Sequence, residues 1–211
     1  MPSTQTGIRI PRASDTVHLD WMKDLGLTSF EGLKVLDIGC GSGFLCSHVI
    51  ENGAKLSYGV DIEVPREGGA DNADWEFIQA NLDSDSWLNQ FEGLTFDLIF
   101  AFDIIEHLQS PVVFLEQCRQ LLNSRGKLLI TTPNVQSLER LLKPESWSGA
   151  SDPQHRILFN KYSLGFLCKK SGLDVRTLKA PMRMLRWLPK SFQPAIGGQL
   201  LALAQLAPSR S

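Results

Sequence analysis

The chain has 211 residues, of which 43% are hydrophobic and 21% are charged, and its formal net charge is −2. This composition is typical of a globular domain with enough apolar residues to bury a core, and it excludes a disordered chain. No apolar run reaches the roughly 18–20 residues that cross a bilayer, and the charge argues against a protein that binds nucleic acid through a basic surface.

Four cysteines stand at positions 40, 46, 118 and 168, and no pair has the spacing of a zinc site. So few thiols in a chain of this length are typical of a reduced protein rather than of a disulfide scaffold. The first twenty residues are polar and lack the apolar stretch of a secretory signal. We therefore expect a cytoplasmic protein.

Short apolar runs alternate with amphipathic segments from Leu33 onward. Apolar runs predict strands, and helical spacing of apolar residues predicts helices. The predicted strands cover 34–38, 56–61, 75–82, 96–100 and 127–131, and the predicted helices cover 44–52, 112–122 and 161–171. This alternation indicates an α/β fold with a doubly wound, mostly parallel sheet. We expect this domain to span 33–211, after a helical or extended segment at 1–32.

Three parts of the chain do not follow this alternation. Pro65, Gly68 and Gly69 interrupt the connection after the second strand, so the crossover helix there is expected to be short or missing. Residues 181–199 are expected to form a connection or lid before the last strand. Residues 200–207 suit a helix and a sheet strand equally well, and propensity alone does not decide between them.

A glycine-rich turn follows the first predicted strand and leads directly into a helix. Glycines stand at positions 39, 41 and 43, and such a turn places backbone N–H groups around a ligand at the helix N-terminus. Dinucleotide oxidoreductases share this pattern, but their third glycine falls where this chain has Phe44. Asp37 precedes the turn, and its carboxylate would repel a diphosphate but suits a ligand with an ammonium group.

Two further polar residues end strands on the same side of the predicted sheet. Asp61 lies about twenty residues after the glycines, where an acidic side chain holds both hydroxyls of a ribose. Asn81 ends the third strand and offers a polar side chain to an adenine edge. A ligand with an ammonium group, a ribose and an adenine is S-adenosylmethionine. A nicotinamide-dependent oxidoreductase and a binding protein of the same fold without catalysis remain the alternatives.

The chain resembles the class I S-adenosylmethionine-dependent methyltransferases, in the branch that includes the ubiquinone-biosynthesis O-methyltransferases. The resemblance rests on the segments 35–43, 58–61, 96–108 and 121–134. It implies a seven-stranded Rossmann-like sheet, methyltransferase activity and S-adenosylmethionine as the cofactor. The cofactor-binding residues that it implies are Asp37, Gly39, Cys40, Gly41, Gly43, Asp61, Ile62, Asn81, Leu82 and Phe102.

A second group of polar residues follows the fourth predicted strand. If a helical turn begins at Asp103, then Glu106 and His107 lie three and four residues later and share its face. His155 stands in a loop-like stretch before the last predicted helix. Related O-methyltransferases hold a metal with a similar acidic-x-x-Glu-His motif and a remote histidine, so the resemblance implies that these four residues bind a divalent metal such as Mg²⁺. His107 and His155 are also the candidate catalytic bases, because imidazole titrates near neutral pH.

The resemblance also indicates the kind of acceptor. We expect a hydroxyl on a small organic molecule or a lipid-like intermediate, and nucleic acid is not favoured. The segment 182–190 mixes basic and bulky apolar residues, as peripheral membrane contacts do. A connection packed between the last two strands explains the same residues more simply.

Overall fold

The computed structural model describes residues 13–65, 74–182 and 196–208. The α-helices are α1 (Ala13–Asp24), α2 (Phe44–Glu51), α3 (Pro111–Leu121), α4 (Leu138–Leu142), α5 (Ser148–Ser151) and α6 (Lys161–Lys170). The strands are β1 (Lys34–Ile38), β2 (Leu56–Asp61), β3 (Glu76–Gln79), β4 (Phe96–Phe102), β5 (Leu122–Pro133), β6 (Leu173–Lys179) and β7 (Gln199–Leu206). Short 3₁₀ helices cover Asp85–Phe91, Ile105–His107 and Pro144–Ser146.

The seven strands form one sheet in the order β3-β2-β1-β4-β5-β7-β6. The pairs β1–β2, β1–β4, β2–β3 and β4–β5 are parallel, whereas β7 runs antiparallel to both of its neighbours. The predicted seven-stranded, mostly parallel α/β sheet is therefore confirmed. Because β1 and β4 are adjacent and parallel, the segments that follow them meet at the carboxyl ends of the parallel strands.

Each central strand contributes side chains to both faces of the sheet, because successive residues point to opposite sides. Val35 of β1 joins a cluster with Trp21 and Met22 of α1, and with residues of α2. Leu36 joins the cluster on the opposite face, with residues of α3 and α6. Helices therefore cover both faces, and α1 shares one core with the sheet.

Several predicted boundaries differ from those of the structure. The third strand is shorter than 75–82, since it spans only Glu76–Gln79. The fifth strand is longer than 127–131, because it begins at Leu122 and continues to Pro133, and its pairing with β4 is irregular between Phe96 and Leu98. Of residues 200–207, which propensity left open, all but Ala207 lie in β7, between β5 and β6.

Three predicted features fall largely outside the described residues. Residues 66–73, which form most of the connection after β2 where a short or missing crossover helix is expected, are not described. Residues 183–195 are not described either, and they include most of the proposed membrane-contact segment 182–190 and of the connection 181–199. Among the helices of the described ranges, none has the length and apolar character needed to span a bilayer.

Candidate functional site

The turn between β1 and α2 is held by backbone hydrogen bonds to β2. The N–H groups of Gly39 and Cys40 donate to the carbonyl of Val60 at 2.7 and 3.1 Å, and the N–H of Gly43 donates to the carbonyl of Cys40. Glycines 39, 41 and 43 all have φ between +52° and +78°, a left-handed conformation that is unfavourable for residues with a Cβ. The sequence pattern therefore marks a turn that only glycines form without strain.

The three glycines of this turn have different surroundings. A side chain at Gly39 would collide with Ile104, and one at Gly43 would collide with the ring of Trp75, whereas Gly41 has nothing within 4 Å of the Cβ position. Trp75 lies beneath the turn and donates from its indole nitrogen to the hydroxyl of Ser47 at 3.1 Å. Gly41 is therefore the glycine of the turn that faces open space, where a ligand fits. Sequence reasoning placed Trp75 in a strand and gave it no part in the site.

Alanine substitutions at two of these glycines separate strain from collision. We expect Gly41→Ala to lower the free energy of unfolding by about 1–2 kcal/mol, because it adds only left-handed strain. Gly43→Ala adds the collision with Trp75, so a loss larger by about 1–3 kcal/mol is expected. Urea titration of both variants measures the difference, and equal losses would contradict the close approach of Trp75.

Asp61 ends β2 and faces the glycine turn. Its Oδ2 accepts a hydrogen bond from the N–H of Gly41 at 2.8 Å, and its Oδ1 accepts one from the N–H of Glu63 at 3.1 Å. The side chain is only partly buried. The carboxylate thus fixes Gly41, the glycine of this turn that faces open space, and remains accessible beside it, as a residue that binds a ribose requires.

Asp37 lies in a more enclosed position beneath the same turn. Only 5% of the residue is exposed, and its Oδ2 lies 3.8 Å from the sulfur of Cys46 in α2. Burial, together with the neighbouring Cys40 and the charge of Asp37, raises the pKa of the Cys46 thiol well above its ordinary value. The interaction of Asp37 with an ammonium group stays a prediction.

The residues predicted for the adenine side lie after β2 and β3. The side chain of Ile62 is exposed next to Asp61, and the amide of Gln79 donates to the carbonyl of Ile62 at 3.1 Å. Asn81 accepts from the N–H of Asp83, and Leu82 is half-buried in the same turn. Parallel pairing of β2 with β3 brings Asp61 and Gln79 side by side, so these residues border one edge of the sheet. Their adenine contacts remain predictions.

Phe102, the last residue of β4, contacts a histidine that sequence reasoning did not single out. The ring of His18, in α1, stacks on Phe102 with centroids 4.2 Å apart. His18 also directs Nε2 toward Oδ2 of Asp103 at 3.5 Å. Nothing in the sequence linked positions 18 and 103, because their contact depends on the packing of α1 against the sheet.

Asp103 does not begin a helical turn with Glu106 and His107. Its φ is +52°, outside the helical region, and the 3₁₀ turn begins only at Ile105. The carboxylate accepts hydrogen bonds from Thr131 and Gln199, both at 3.0 Å. Burial raises the pKa of Asp103, but the hydrogen bonds from His18, Gln199 and Thr131 outweigh this effect and lower it below its ordinary value.

Glu106, His107 and His155, three of the four residues proposed as metal ligands, lie close together in the structure. One potential ligand atom from each lies within 4.8 Å of the others, and the two imidazole centroids are 4.6 Å apart. The backbone holds this arrangement, since the N–H groups of Arg156 and Ile157 donate to the carbonyl of Glu106. Asp103 is not in this group of three. We call Glu106, His107 and His155 the Glu-His cluster.

Polar atoms in the Glu-His cluster are buried without hydrogen-bond partners in the described structure. They are both carboxylate oxygens of Glu106 and Nδ1 of His107. Nε2 of His155 lies 3.9 Å from Oε1 of Glu106, too far for a hydrogen bond. Burial, and then the charge of Asp103, raise the pKa of Glu106 to about 8. A buried carboxylate with unpaired oxygens beside two imidazoles fits a bound cation, which would satisfy all three residues.

A tryptophan eight residues before His155 lies close to the segment that holds this histidine. Trp147 is 1% exposed, and a Cβ at Gly149 would collide with its ring. The carbonyl of Gly149 lies 3.2 Å from Nδ1 of His155, and a hydrogen bond there would leave Nε2 to face Glu106. Trp147 thus packs against the residue that orients His155.

Comparisons with known proteins place the chain in a family. A family model described as a methyltransferase domain matches residues 12–178. The ubiquinone biosynthesis O-methyltransferase of Chelativorans sp. (strain BNC1) is 33% identical over 136 residues, which cover 60% of this chain and 51% of that protein. The protein of the same description from Cereibacter sphaeroides (strain ATCC 17029 / ATH 2.4.9) is 30% identical over 178 residues, 79% of this chain and 70% of that protein. The chain thus spans about half the length of the first of these relatives.

Solved structures share the fold. A SAM-dependent methyltransferase from Archaeoglobus fulgidus has a TM-score of 0.65 at 18% identity, covering 90% of this chain and 93% of that chain. The Burkholderia thailandensis 1,6-didemethyltoxoflavin-N1-methyltransferase, solved with S-adenosylhomocysteine, has a TM-score of 0.61 at 17% identity. The match covers 91% of this chain and 77% of that chain. At such low identities the likeness is one of fold.

Proposed function

The chain belongs to the methyltransferase-domain family, and we propose that it transfers a methyl group from S-adenosylmethionine to a hydroxyl of a small-molecule or lipid-like acceptor. When bound, S-adenosylmethionine supplies a methyl group on a positively charged sulfur. The protein's own contribution is to hold both reactants in line and to exclude water, because the leaving sulfur is neutral.

The arrangement of Asp61 and Gly41 carries this proposal. The carboxylate of Asp61 is anchored to the N–H of Gly41 and remains accessible at the edge of the sheet where parallel α/β folds bind ligands. Gly41 leaves open space in front of the turn. A ribose at Asp61 would place the rest of the nucleoside along the turn. The buried Asp37 beneath it supplies negative charge, which favours a ligand with a cationic amino acid part over one with a diphosphate.

Calorimetric titration with S-adenosylhomocysteine and with NAD⁺ tests this proposal directly. We expect S-adenosylhomocysteine to bind and NAD⁺ not to bind at the same concentrations. Preference for NAD⁺ would favour an oxidoreductase. Binding of S-adenosylhomocysteine without methyl transfer to any hydroxylated acceptor would favour a binding protein that has lost catalysis.

The Glu-His cluster provides the second part of the proposal. An oxygen acceptor must lose a proton as its bond to the methyl carbon forms, and a base or a metal ion promotes this loss near neutral pH. His107 and His155 are the candidate bases, and Nδ1 of His107 is buried without a hydrogen-bond partner among the described residues. The same cluster fits a divalent cation, which when bound would lower the pKa of a coordinated hydroxyl.

The donor types of the Glu-His cluster indicate which cation it would hold. Glu106 would provide one carboxylate oxygen, and His107 and His155 would provide one nitrogen each. Two imidazoles suit Mn²⁺, Fe²⁺ or Zn²⁺ better than Mg²⁺, which prefers oxygen ligands. We therefore amend the sequence-based expectation of Mg²⁺ toward a transition metal.

The class of acceptor follows from the relatives and from the charge of this chain. The curated relatives named above are described as O-methyltransferases of ubiquinone biosynthesis. A net charge of −2 does not favour a nucleic-acid acceptor. A small hydroxylated molecule is therefore the proposed acceptor, in a cytoplasmic protein with buried, reduced cysteines.

A further inference from the structure

A small core lies beneath the glycine turn, separate from the two large cores of the sheet. Its buried members are Cys40, Cys46 and Trp75, and Ile50 and Phe77 pack against them partly buried. Trp75 has the largest of these side chains, and only 4% of the residue is exposed. It directly precedes β3, the strand at one edge of the sheet. A bulky ring from the edge of the sheet is thus enclosed next to the turn proposed to bind the cofactor.

Two glycines make room for the ring of Trp75. A Cβ at Gly43 would overlap Cζ2 and Cη2 of the ring, and a Cβ at Gly59 would lie 2.8 Å from Cζ3. Carbon atoms in contact lie about 3.5–4.0 Å apart, so neither position admits a side chain while the ring is in place. The left-handed φ of Gly43 favours glycine by itself, whereas Gly59 has no such φ. At Gly59 it is therefore the packing against Trp75 and Cys40 that requires a glycine.

The indole nitrogen fixes the same ring to α2. Nε1 of Trp75 donates to the hydroxyl of Ser47 at 3.1 Å. The N–H of Ser47 in turn donates to the carbonyl of Gly43 at 3.1 Å, where the helix begins. The benzene half of the indole therefore packs against the backbone of the turn, while the pyrrole half is bonded to the helix that follows. A change in the position of the ring would disturb both.

The small core also reaches the acidic residues of the proposed cofactor site. Sγ of Cys46 lies 3.8 Å from Oδ2 of Asp37. Gly59, against which the ring packs, stands in β2 two residues before Asp61. A binding site needs its groups held within about 0.5 Å of the productive geometry. The packing of Trp75 therefore affects how precisely these groups are placed.

A large buried side chain can also contribute to stability alone, and Trp87 provides the comparison. It is 1% exposed, and its indole nitrogen donates to Oε1 of Gln117 at 3.0 Å. It belongs to the large core that includes residues of α3 and α6, and not to the core beneath the turn. Trp75 and Trp87 are therefore alike in burial and in the bonding of the indole, and they differ in which part of the fold they pack against.

We propose that Trp75 is a positioning residue of the cofactor site, whose ring holds Gly43 and the start of α2 in the arrangement that binds S-adenosylmethionine. It acts through the turn and does not touch the reacting atoms, so it is not a catalytic residue. This inference rests on the proposed methyl-transfer function and adds to its cofactor site a residue that binds no part of the cofactor itself.

Calorimetric titration with S-adenosylhomocysteine of two matched variants tests this role. Trp75→Leu empties the space beside Gly43 and removes the donor to Ser47. We expect it to bind S-adenosylhomocysteine roughly tenfold or more weakly than the wild-type chain. Trp87→Leu is the control, which should unfold at a similarly reduced urea concentration and keep the wild-type affinity. Equal affinities of the two variants would overturn the inference.

A double-mutant cycle tests whether the contact with the turn carries the effect. Gly43→Ala should lower the stability less in the Trp75→Leu background than in the wild-type chain, because the ring with which it collides is gone. Gly41→Ala should have the same effect in both backgrounds, since nothing lies within 4 Å of that Cβ position. Urea titration measures both cycles, and an additive result for Gly43 and Trp75 would overturn the inference.

Nuclear magnetic resonance of the wild-type chain gives a readout that does not depend on a destabilised variant. The chain has five tryptophans, and each indole N–H gives one peak after ¹⁵N labelling. Trp75→Phe and Trp87→Phe identify two of these peaks. We expect saturating S-adenosylhomocysteine to shift the peak of Trp75, because the turn packed on its ring becomes occupied, and to leave that of Trp87 in place. An unshifted Trp75 peak would contradict the positioning role.

The outcomes separate this inference from the proposed function. If the wild-type chain binds S-adenosylhomocysteine and Trp75→Leu binds it as tightly, the inference alone is wrong and the proposed function stands. If Trp75→Leu does not fold, the peak of Trp75 in the wild-type chain decides. If the wild-type chain does not bind S-adenosylhomocysteine, the proposed function and this inference are both wrong.

Discussion

Replacement of Asp61 by alanine is expected to weaken the binding of S-adenosylhomocysteine by at least about 100-fold. The variant would lose two charge-assisted hydrogen bonds from ribose hydroxyls to the carboxylate, each of which contributes about 1.5–3 kcal/mol. It would also release the N–H of Gly41, to which it is bonded at 2.8 Å, and loosen the turn that faces the ligand. Calorimetric titration of the purified variant measures the loss.

Two further variants make this result specific. Asp61→Asn keeps one carbonyl oxygen to accept from Gly41 but loses the charge, so an intermediate affinity is expected. Asp97→Ala is a matched control, because the carboxylate of Asp97 also accepts a backbone hydrogen bond, from Lys34, at the opposite edge of the sheet. It should lose stability but keep its affinity for S-adenosylhomocysteine. Undiminished binding by Asp61→Ala would refute the assignment of the ribose site.

Replacement of a residue of the Glu-His cluster is expected to abolish most of the binding of Mn²⁺. We expect the wild-type chain to bind one Mn²⁺, and His155→Ala and Glu106→Gln to bind it at least about tenfold more weakly, because each removes one of three protein ligands. Titration followed by electron paramagnetic resonance of free Mn²⁺ measures the affinity. Unchanged affinity in both variants, or no binding by the wild type, would refute the metal site.

The Mn²⁺ affinity of Asp103→Asn tests whether Asp103 is a metal ligand. The resemblance implies that Asp103 is a fourth ligand, whereas the structure directs its carboxylate to His18, Thr131 and Gln199. We therefore expect Asp103→Asn to keep the Mn²⁺ affinity of the wild type. His48→Ala, which removes a histidine far along the chain from the cluster, is the control for a general effect of losing an imidazole. A tenfold loss in Asp103→Asn would return Asp103 to the metal site.

The first part of the site is predictable because helices cover both faces of the central strands, which are therefore apolar on both sides. β1 and β2 match their predicted bounds, 34–38 and 56–61, because their apolar residues are continuous and glycines or polar residues limit them. The turn at residues 39–43 is predictable as well, since the left-handed conformations at glycines 39, 41 and 43 favour residues without a Cβ. Asp61 follows from the length of one β-α-β unit.

The sequence does not mark the residues whose part in the site depends on contacts with distant segments of the chain. The ring of Trp75 packs against Gly43, and His18 contacts Asp103 from a helix 85 positions earlier in the chain. The strand 199–206 has the composition of a helix as well, and its conformation is decided by the hydrogen bonds of β5 and β6 on its two sides. Propensity contributes little where both edges of a segment are paired.

The amino-acid sequence by itself determined the alternating α/β architecture, the glycine turn and the acidic residue beside it, because these depend on local periodicity and on backbone conformations open only to glycine. Tertiary structure alone decided how the polar residues after β4 divide. The backbone at Asp103 is left-handed and its carboxylate lies toward His18 of α1, while the next turn brings Glu106 and His107 to His155. Spacing along the chain fixes side-chain directions only while the backbone stays regular, and here it does not.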